Sequence, residues 1–177
     1  MERVYPQLLH HYAEADVAEK VVCYGLIFAK KSLESFSPEE AIRAAKMVID
    51  LQEEVDGGNA ALEGETRIVL GSAYRMAGNM EAAFKEFTAA CAIFERMGES
   101  RKLLSAIVAA AETAWESRRV DESRKWVEKG LQTGRDSGET AGLTKLLSLG
   151  ATLANLRGDS NVAKGYLEEV ERLILHY

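Results

Sequence analysis

Apolar residues recur along this chain every three or four positions, and strict alternation is nearly absent. A period near 3.6 marks amphipathic helices, each burying one stripe. The spacing predicts helices over 17–35, 38–54, 59–77, 80–97, 100–117, 120–136, 139–157 and 160–176, preceded by a short one over 3–14. Helix breakers fall between them: Gly57-Gly58-Asn59, Gly78-Asn79, Gly98, Gly138 and Gly158-Asp159. Ser37-Pro38-Glu39-Glu40 is a start signal, with Ser37 as N-cap, Pro38 in the first turn and Glu40 closing a capping box. Connections this short force consecutive helices to run antiparallel, as hairpins.

The same roles return at a fixed interval. Gly98-Glu99-Ser100 comes back as Gly138-Glu139-Thr140, 40 residues later. The same step aligns Gly78-Asn79 with Arg118-Arg119 and Gly158-Asp159, and Phe87 with Val127 and Leu167. Positions 78, 118 and 158 belong to the tight turn inside a hairpin. Positions 87, 127 and 167 are expected to face the core from its second helix. The hydroxyls of Ser100 and Thr140 are placed to cap the next helix. A stacked array of two-helix units needs such a stop and start in every unit.

Leu70-Gly71, Tyr74, Ala83, Phe87 and Ala90 stand at the spacing of a tetratricopeptide repeat, which this segment resembles. Gly71 lets paired helices approach, and Tyr74 and Phe87 fill the gap between neighbouring units. A later unit keeps Gly150, Ala163 and Leu167. The unit between them carries Ala111, Ala114, Ser123 and Val127, and an earlier, fainter one Ala29, Ala41 and Ala45. The resemblance covers roughly 22–177. It implies an all-α fold, a right-handed superhelical array of antiparallel hairpins forming one domain over 1–177. Entry helices would occupy 1–57, and clearer repeats about 64–103, 104–143 and 144–177. A 40-residue period exceeds the usual ~34 of this family. HEAT-type repeats have the longer period, but the Gly71/Tyr74/Ala83/Phe87 set argues against them. The longer units resemble those of bacterial signal-transduction ATPases and transcription activators. The stretch LLHHYAEADVAEKVVCYGLIFAKKSLESFSPEEAI is similar to the helical entry that follows the ATPase module there. No G-x4-G-K-[ST] phosphate cradle is present in this sequence.

Composition changes this picture little. Only 2 of 177 residues are proline, in keeping with helices, and the formal net charge of −6 disfavours nucleic acid or an anionic membrane as partner. No apolar run reaches the length of a bilayer span and no signal peptide is visible, so a cytoplasmic protein is expected. Cys23 and Cys91 lie in apolar helical stretches, as small core residues do.

Catalytic chemistry finds no constellation. His10 and His11 are adjacent, so they point to different helix faces and do not share one ion. There is no Cys-x2-Cys pair and no G-x-S-x-G elbow. No enzyme, metal or cofactor is expected. Arg118-Arg119 sits beside Asp121 and Glu122, as a solvated turn or an anion contact.

Binding chemistry offers more. The resemblance implies that the first helix of each hairpin lines a concave face. Its ligand-facing offsets fall on Glu65, Ile68, Ser72, Arg75 and Met76, then on Ser105, Val108, Glu112, Trp115 and Glu116, and then on Lys145, Ser148, Thr152, Asn155 and Leu156. Ile68 and Ser72 stand where a carboxylate clamp would need Lys and Asn, which disfavours that specialised mode. Trp115 ends the stripe Leu104, Val108, Ala111, and is either packed core or an aromatic anchor for a peptide. The groove residues expected to contact a partner are Ser72, Arg75, Met76, Glu112, Trp115, Lys145 and Asn155. The function expected is a scaffold that holds a protein or peptide. The alternative is a ligand-sensing regulatory domain of a larger signalling ATPase or transcription regulator. The last helix sets Val162, Tyr166, Val170, Leu173 and Ile174 at helical spacing, a face that self-association or a further repeat would cover.

Overall fold

The computed structural model describes residues 18–52 and 59–175. They form eight helices: α1 (Ala18–Glu34), α2 (Pro38–Gln52), α3 (Ala60–Met76), α4 (Met80–Met97), α5 (Ser100–Glu116), α6 (Val120–Ser137), α7 (Thr140–Leu156) and α8 (Ser160–Leu175). Each matches an expected helix to within a few residues at either end; the helix expected over 3–14 lies outside the described residues. From α3 onward the helices begin at Ala60, Met80, Ser100, Val120, Thr140 and Ser160, each twenty residues after the last. By contacts the chain divides into two compact units, one through Ile93 and one from Phe94.

Six of the helices, α1 and α3 to α7, stop on a left-handed residue. Gly78, Gly98, Gly138 and Gly158 take positive φ, and so do Phe36 (56°) and Arg118 (63°). At five of these six ends the next N–H then reaches back five residues: Ser37 to the Ser32 carbonyl, Asn79 to Tyr74, Glu99 to Phe94, Arg119 to Ala114 and Asp159 to Ala154, at 2.8–3.0 Å. This bond satisfies a carbonyl the helix end would leave orphaned, and it reverses the chain. Arg118 fills the place of Gly78 and Gly158 but carries a Cβ into the left-handed region, where a side chain is disfavoured.

Helix starts differ in part from expectation. Ser100 and Thr140 are first residues of their helices, not caps. Glu99 and Glu139 hold the cap position, and the Glu139 carboxylate accepts from the Gly142 N–H at 2.7 Å. A carboxylate suits the positive end of the helix dipole there. Asn59 and Asn79 also cap, accepting at 3.1 Å from the N–H groups of Leu62 and Ala82. Pro38 opens α2 as expected, while the Ser37 hydroxyl lies 3.5 Å from the Ser35 carbonyl.

In the first unit, α1, α2 and α3 share a core of Leu26, Ala29, Ala44, Ala45, Val69 and Leu70. Tyr74 packs on it half-buried, with the Lys46 ammonium 5.8 Å from its ring centroid. Gly71 is where α4 comes nearest α3: a Cβ there would lie 2.7 Å from Cε1 of the fully buried Phe87. Arg67 ties the same two helices, donating to Glu63 at 2.8 Å and to Glu86 at 2.9 Å.

In the second unit, α6 packs on α5, α7 on α6 and α8 on α7. Small residues meet large ones along the α6–α7 seam. Leu146 and Ile107 fill the space a side chain at Gly130 would need, Leu143 does so at Gly134, and Val127 and Tyr166 do so at Gly150. Ser123 is fully buried, and its hydroxyl donates to the Ala111 carbonyl at 2.9 Å, pinning α6 to α5. The Arg135 guanidinium grips Glu169 of α8 with two bonds, at 3.0 and 2.8 Å. Leu167 departs from expectation: Phe87 and Val127 are 0% and 2% exposed, but Leu167 is 47% exposed. No described helix packs on that side of α8.

Three outcomes follow from this packing. Replacing Arg118 with Gly removes the left-handed penalty of ~1–2 kcal/mol and adds a smaller chain-entropy cost. A net gain of about 0.5–1 kcal/mol is expected, visible as a Tm raised by a few degrees; a lower Tm would show that Arg118 makes contacts worth more than its strain. Gly71→Ala should lose roughly 1–3 kcal/mol in urea unfolding because the Phe87 ring has nowhere to move. Hydrogen bonding to Arg135 holds the Glu169 carboxyl below its ordinary pKa. The stabilisation is therefore present above the unfolded value of ~4.3 and lost as pH falls through the depressed folded value. Glu169→Gln should cost at most ~1 kcal/mol at neutral pH, since the pair is partly exposed, and nothing once both states are protonated. Urea melts of both proteins at neutral and strongly acid pH measure this difference.

Candidate functional site

The first helices of the hairpins, α3, α5 and α7, each withhold one stripe from the core. On α3 the stripe runs through Glu65, Ile68, Ser72 and Arg75, half-buried, to Met76, exposed. The Ser72 hydroxyl is turned inward onto the Ile68 carbonyl at 2.8 Å, and Glu65 meets Lys30 at 3.3 Å. These residues belong to the first unit.

In the second unit the stripe on α5 has Ser105 and Glu116 exposed and Glu112 and Trp115 half-buried. Val108, expected beside them, is buried. Nine positions of α5 are buried, so its apolar arc is wide enough to take Val108 in and leaves Trp115 at its edge. On α7, Lys145, Ser148, Thr152, Asn155 and Leu156 are all exposed. Thr144, Ser148 and Thr152 each donate to the carbonyl four residues back, at 2.8–3.1 Å, which leaves their methyl and methylene groups outward. Because α5 and α7 touch, Glu112, Trp115, Lys145 and Asn155 lie on two adjacent helices.

The charges of α5 run against its dipole. Inside the helix, Arg101 and Lys102 occupy the first turn and Glu112 and Glu116 the end, with no base in the last turn; the acid at the start is Glu99, at the cap. A helix built only for stability has the opposite order. By contrast, α3 has Glu63 in its first turn and Arg75 in its last. Arg119 pairs with Glu122 at 3.2 Å and Arg124 with Asp121 at 3.1 Å, the solvated-turn arrangement.

A cavity of about 390 Å³ opens elsewhere in the second unit, walled by Arg101 of α5, Thr140 and Ala141 of α7, and Leu173 and Ile174 of α8. The chain brings these together from three helices, with no local sequence signal for them. Cys91 is a buried thiol outside any disulfide. Among the described residues, no three His, Cys, Asp or Glu side chains group to hold a metal, and no helix is long and apolar enough to cross a membrane.

Helical hairpins repeated at this spacing, with Gly71 against Phe87, make this a tetratricopeptide-type fold. Solved structures of that type agree. MamA superposes over 99% of this chain and 87% of its own, with TM-score 0.77 and 18% identity. The tetratricopeptide domain of FLU from Arabidopsis matches 65% of this chain and 95% of its own, with TM-score 0.59 and 19% identity. The Rap conjugation gene regulator of plasmid pLS20, solved in complex with the Phr* peptide, matches 85% of this chain and 42% of its own, with TM-score 0.69 and 14% identity. No protein-family model matches the sequence. No curated protein sequence matches it either.

Proposed function

We propose that this protein is a non-enzymatic scaffold that holds a peptide or helix of a partner along the exposed stripes of its first helices. The observation that carries this reading is α5. It keeps a half-buried Trp115 and two acids, Glu112 and Glu116, on its accessible edge, in an order that costs the helix stability. Residues that violate a local rule without a gain to the fold are where function is expected. Trp115 supplies a rigid apolar anchor, and the acids favour a basic group on the guest. Asn155 and Lys145 on α7 offer hydrogen bonds beside them. Ser72, Arg75 and Met76 present the corresponding stripe on α3. Preorganised helices lower the ordering cost on the receptor side. The peptide bound in the pLS20 regulator shows that one protein of similar fold accepts such a guest.

The cavity beside Arg101 favours a second reading, a regulatory domain that senses a small molecule. Its volume of about 390 Å³ falls in the range of ligand pockets. A thermal-shift screen against metabolites would promote it if one compound raised Tm strongly.

Selection from a displayed random-peptide library tests the scaffold reading. Wild-type protein should enrich peptides with a basic residue near an apolar one. Trp115→Ala should lose that enrichment, and the Glu112→Lys/Glu116→Lys pair should shift it towards acidic peptides, with helicity by circular dichroism unchanged. Identical peptides from all three proteins would remove these residues from the site.

A further inference from the structure

The outer strip of α8 and the outer strip of α4 have complementary shapes and charges. On α8, Leu167 and Ile174 stand seven residues apart and are 47% and 62% exposed. Glu171 lies between them, also exposed, where the preceding second helices bury Cys91 and Leu131. The strip is therefore two large apolar side chains flanking a carboxylate. Around it, Glu168 pairs with Lys164 at 3.7 Å, and Glu169 is held by Arg135.

The α6–α7 seam shows what covers such a strip in this molecule: an antiparallel helix that sets small residues against large ones, as Gly130 and Gly134 receive Leu146 and Leu143. A helix fitting α8 needs small residues about seven apart, roughly 10 Å along its axis, with a base between them. One outer face of this chain has that pattern. On α4, Ala82 and Ala89 are half-buried, Lys85 between them is exposed, and Ala92 is exposed one turn on. Glu86 beside them is engaged by Arg67, and Glu81 stands one turn before Lys85, so Lys85 is the base at the centre of the strip.

We propose that these two strips meet between copies of this chain: α8 of one molecule seats Leu167 and Ile174 against Ala89 and Ala82 on α4 of another, with Glu171 paired to Lys85. Antiparallel packing puts the two charges at the same level. The contact joins two different patches, so it is heterologous, and each molecule offers both halves. It uses none of the residues proposed to hold a peptide, and of those walling the cavity it uses Ile174.

Sedimentation velocity on the full chain tests this. Wild-type protein should associate with rising concentration, and less so at high salt, because the ion pair is exposed. Glu171→Lys and Lys85→Glu should each weaken association by about tenfold or more, the scale of one lost charged contact turned repulsive. Each variant alone should be monomeric. Mixed, they should associate again, with the two variants alternating, because both contacts between unlike copies set a base against an acid while like copies repel. The double variant should associate as the wild type does. A wild-type protein that stays monomeric throughout, association unchanged in Glu171→Lys, or a mixture that fails to associate would each overturn the proposal.

Discussion

A single left-handed residue at the ends of α1 and of α3 through α7 governs the described part of this molecule. Beyond that residue the following N–H commonly turns back to a carbonyl five positions earlier, and the helix can go no further. The interval between such residues fixes helix length at 17 or 18 residues from α3 through α7. Equal lengths bring each new helix back beside its neighbour in the same register, so equivalent faces recur. Arg118 shows how strong the constraint is, since the chain accepts the conformation there without glycine.

Recurring faces allow the seams to be built from a small vocabulary. A residue without a side chain admits a large one from the facing helix, at Gly71 for Phe87 and at Gly130 for Leu146 and Ile107. Close approach of the backbones buries apolar surface efficiently and lets the buried Ser123 hydroxyl reach a main-chain carbonyl on the next helix. The core demands less than the full circumference of the first helices. The arc left over on α5 and α7 is free to take the residues that recognition needs, including acids at a helix end that the dipole disfavours.

Most of the helix framework was legible in the sequence because it rests on local signals: apolar period, breakers, and Gly71 as a point of close helix approach; that Phe87 of the same hairpin fills that point, and not a gap between units, was not. The turn role of Arg118 was legible only through its alignment with Gly78 and Gly158, since arginine itself carries no such preference. Where the reading failed, the missing knowledge was of neighbours. Leu167 has the sequence position of Phe87 and Val127, but burial depends on a helix that packs over it. Val108 sits at a groove offset, yet α5 buries nine positions and draws it in. Ser100 and Thr140 are the common capping types, but the helices start one residue earlier in effect, at Glu99 and Glu139. The cavity beside Arg101 joins three helices and has no local signature at all. The stripes on α3, α5 and α7 were anticipated from a family offset; what binds there is a property of a guest the sequence does not contain.

The twenty-residue beat between helix starts also limits how such a chain can change length. One residue added within a helix rotates everything after it by about 100° and carries the facing side chains out of the seam. A residue added in a turn displaces the left-handed stop from the carbonyl it must reach. Duplication or loss of a whole hairpin does neither. Descendants of this sequence can therefore lengthen or shorten in steps of one pair far more readily than by single residues.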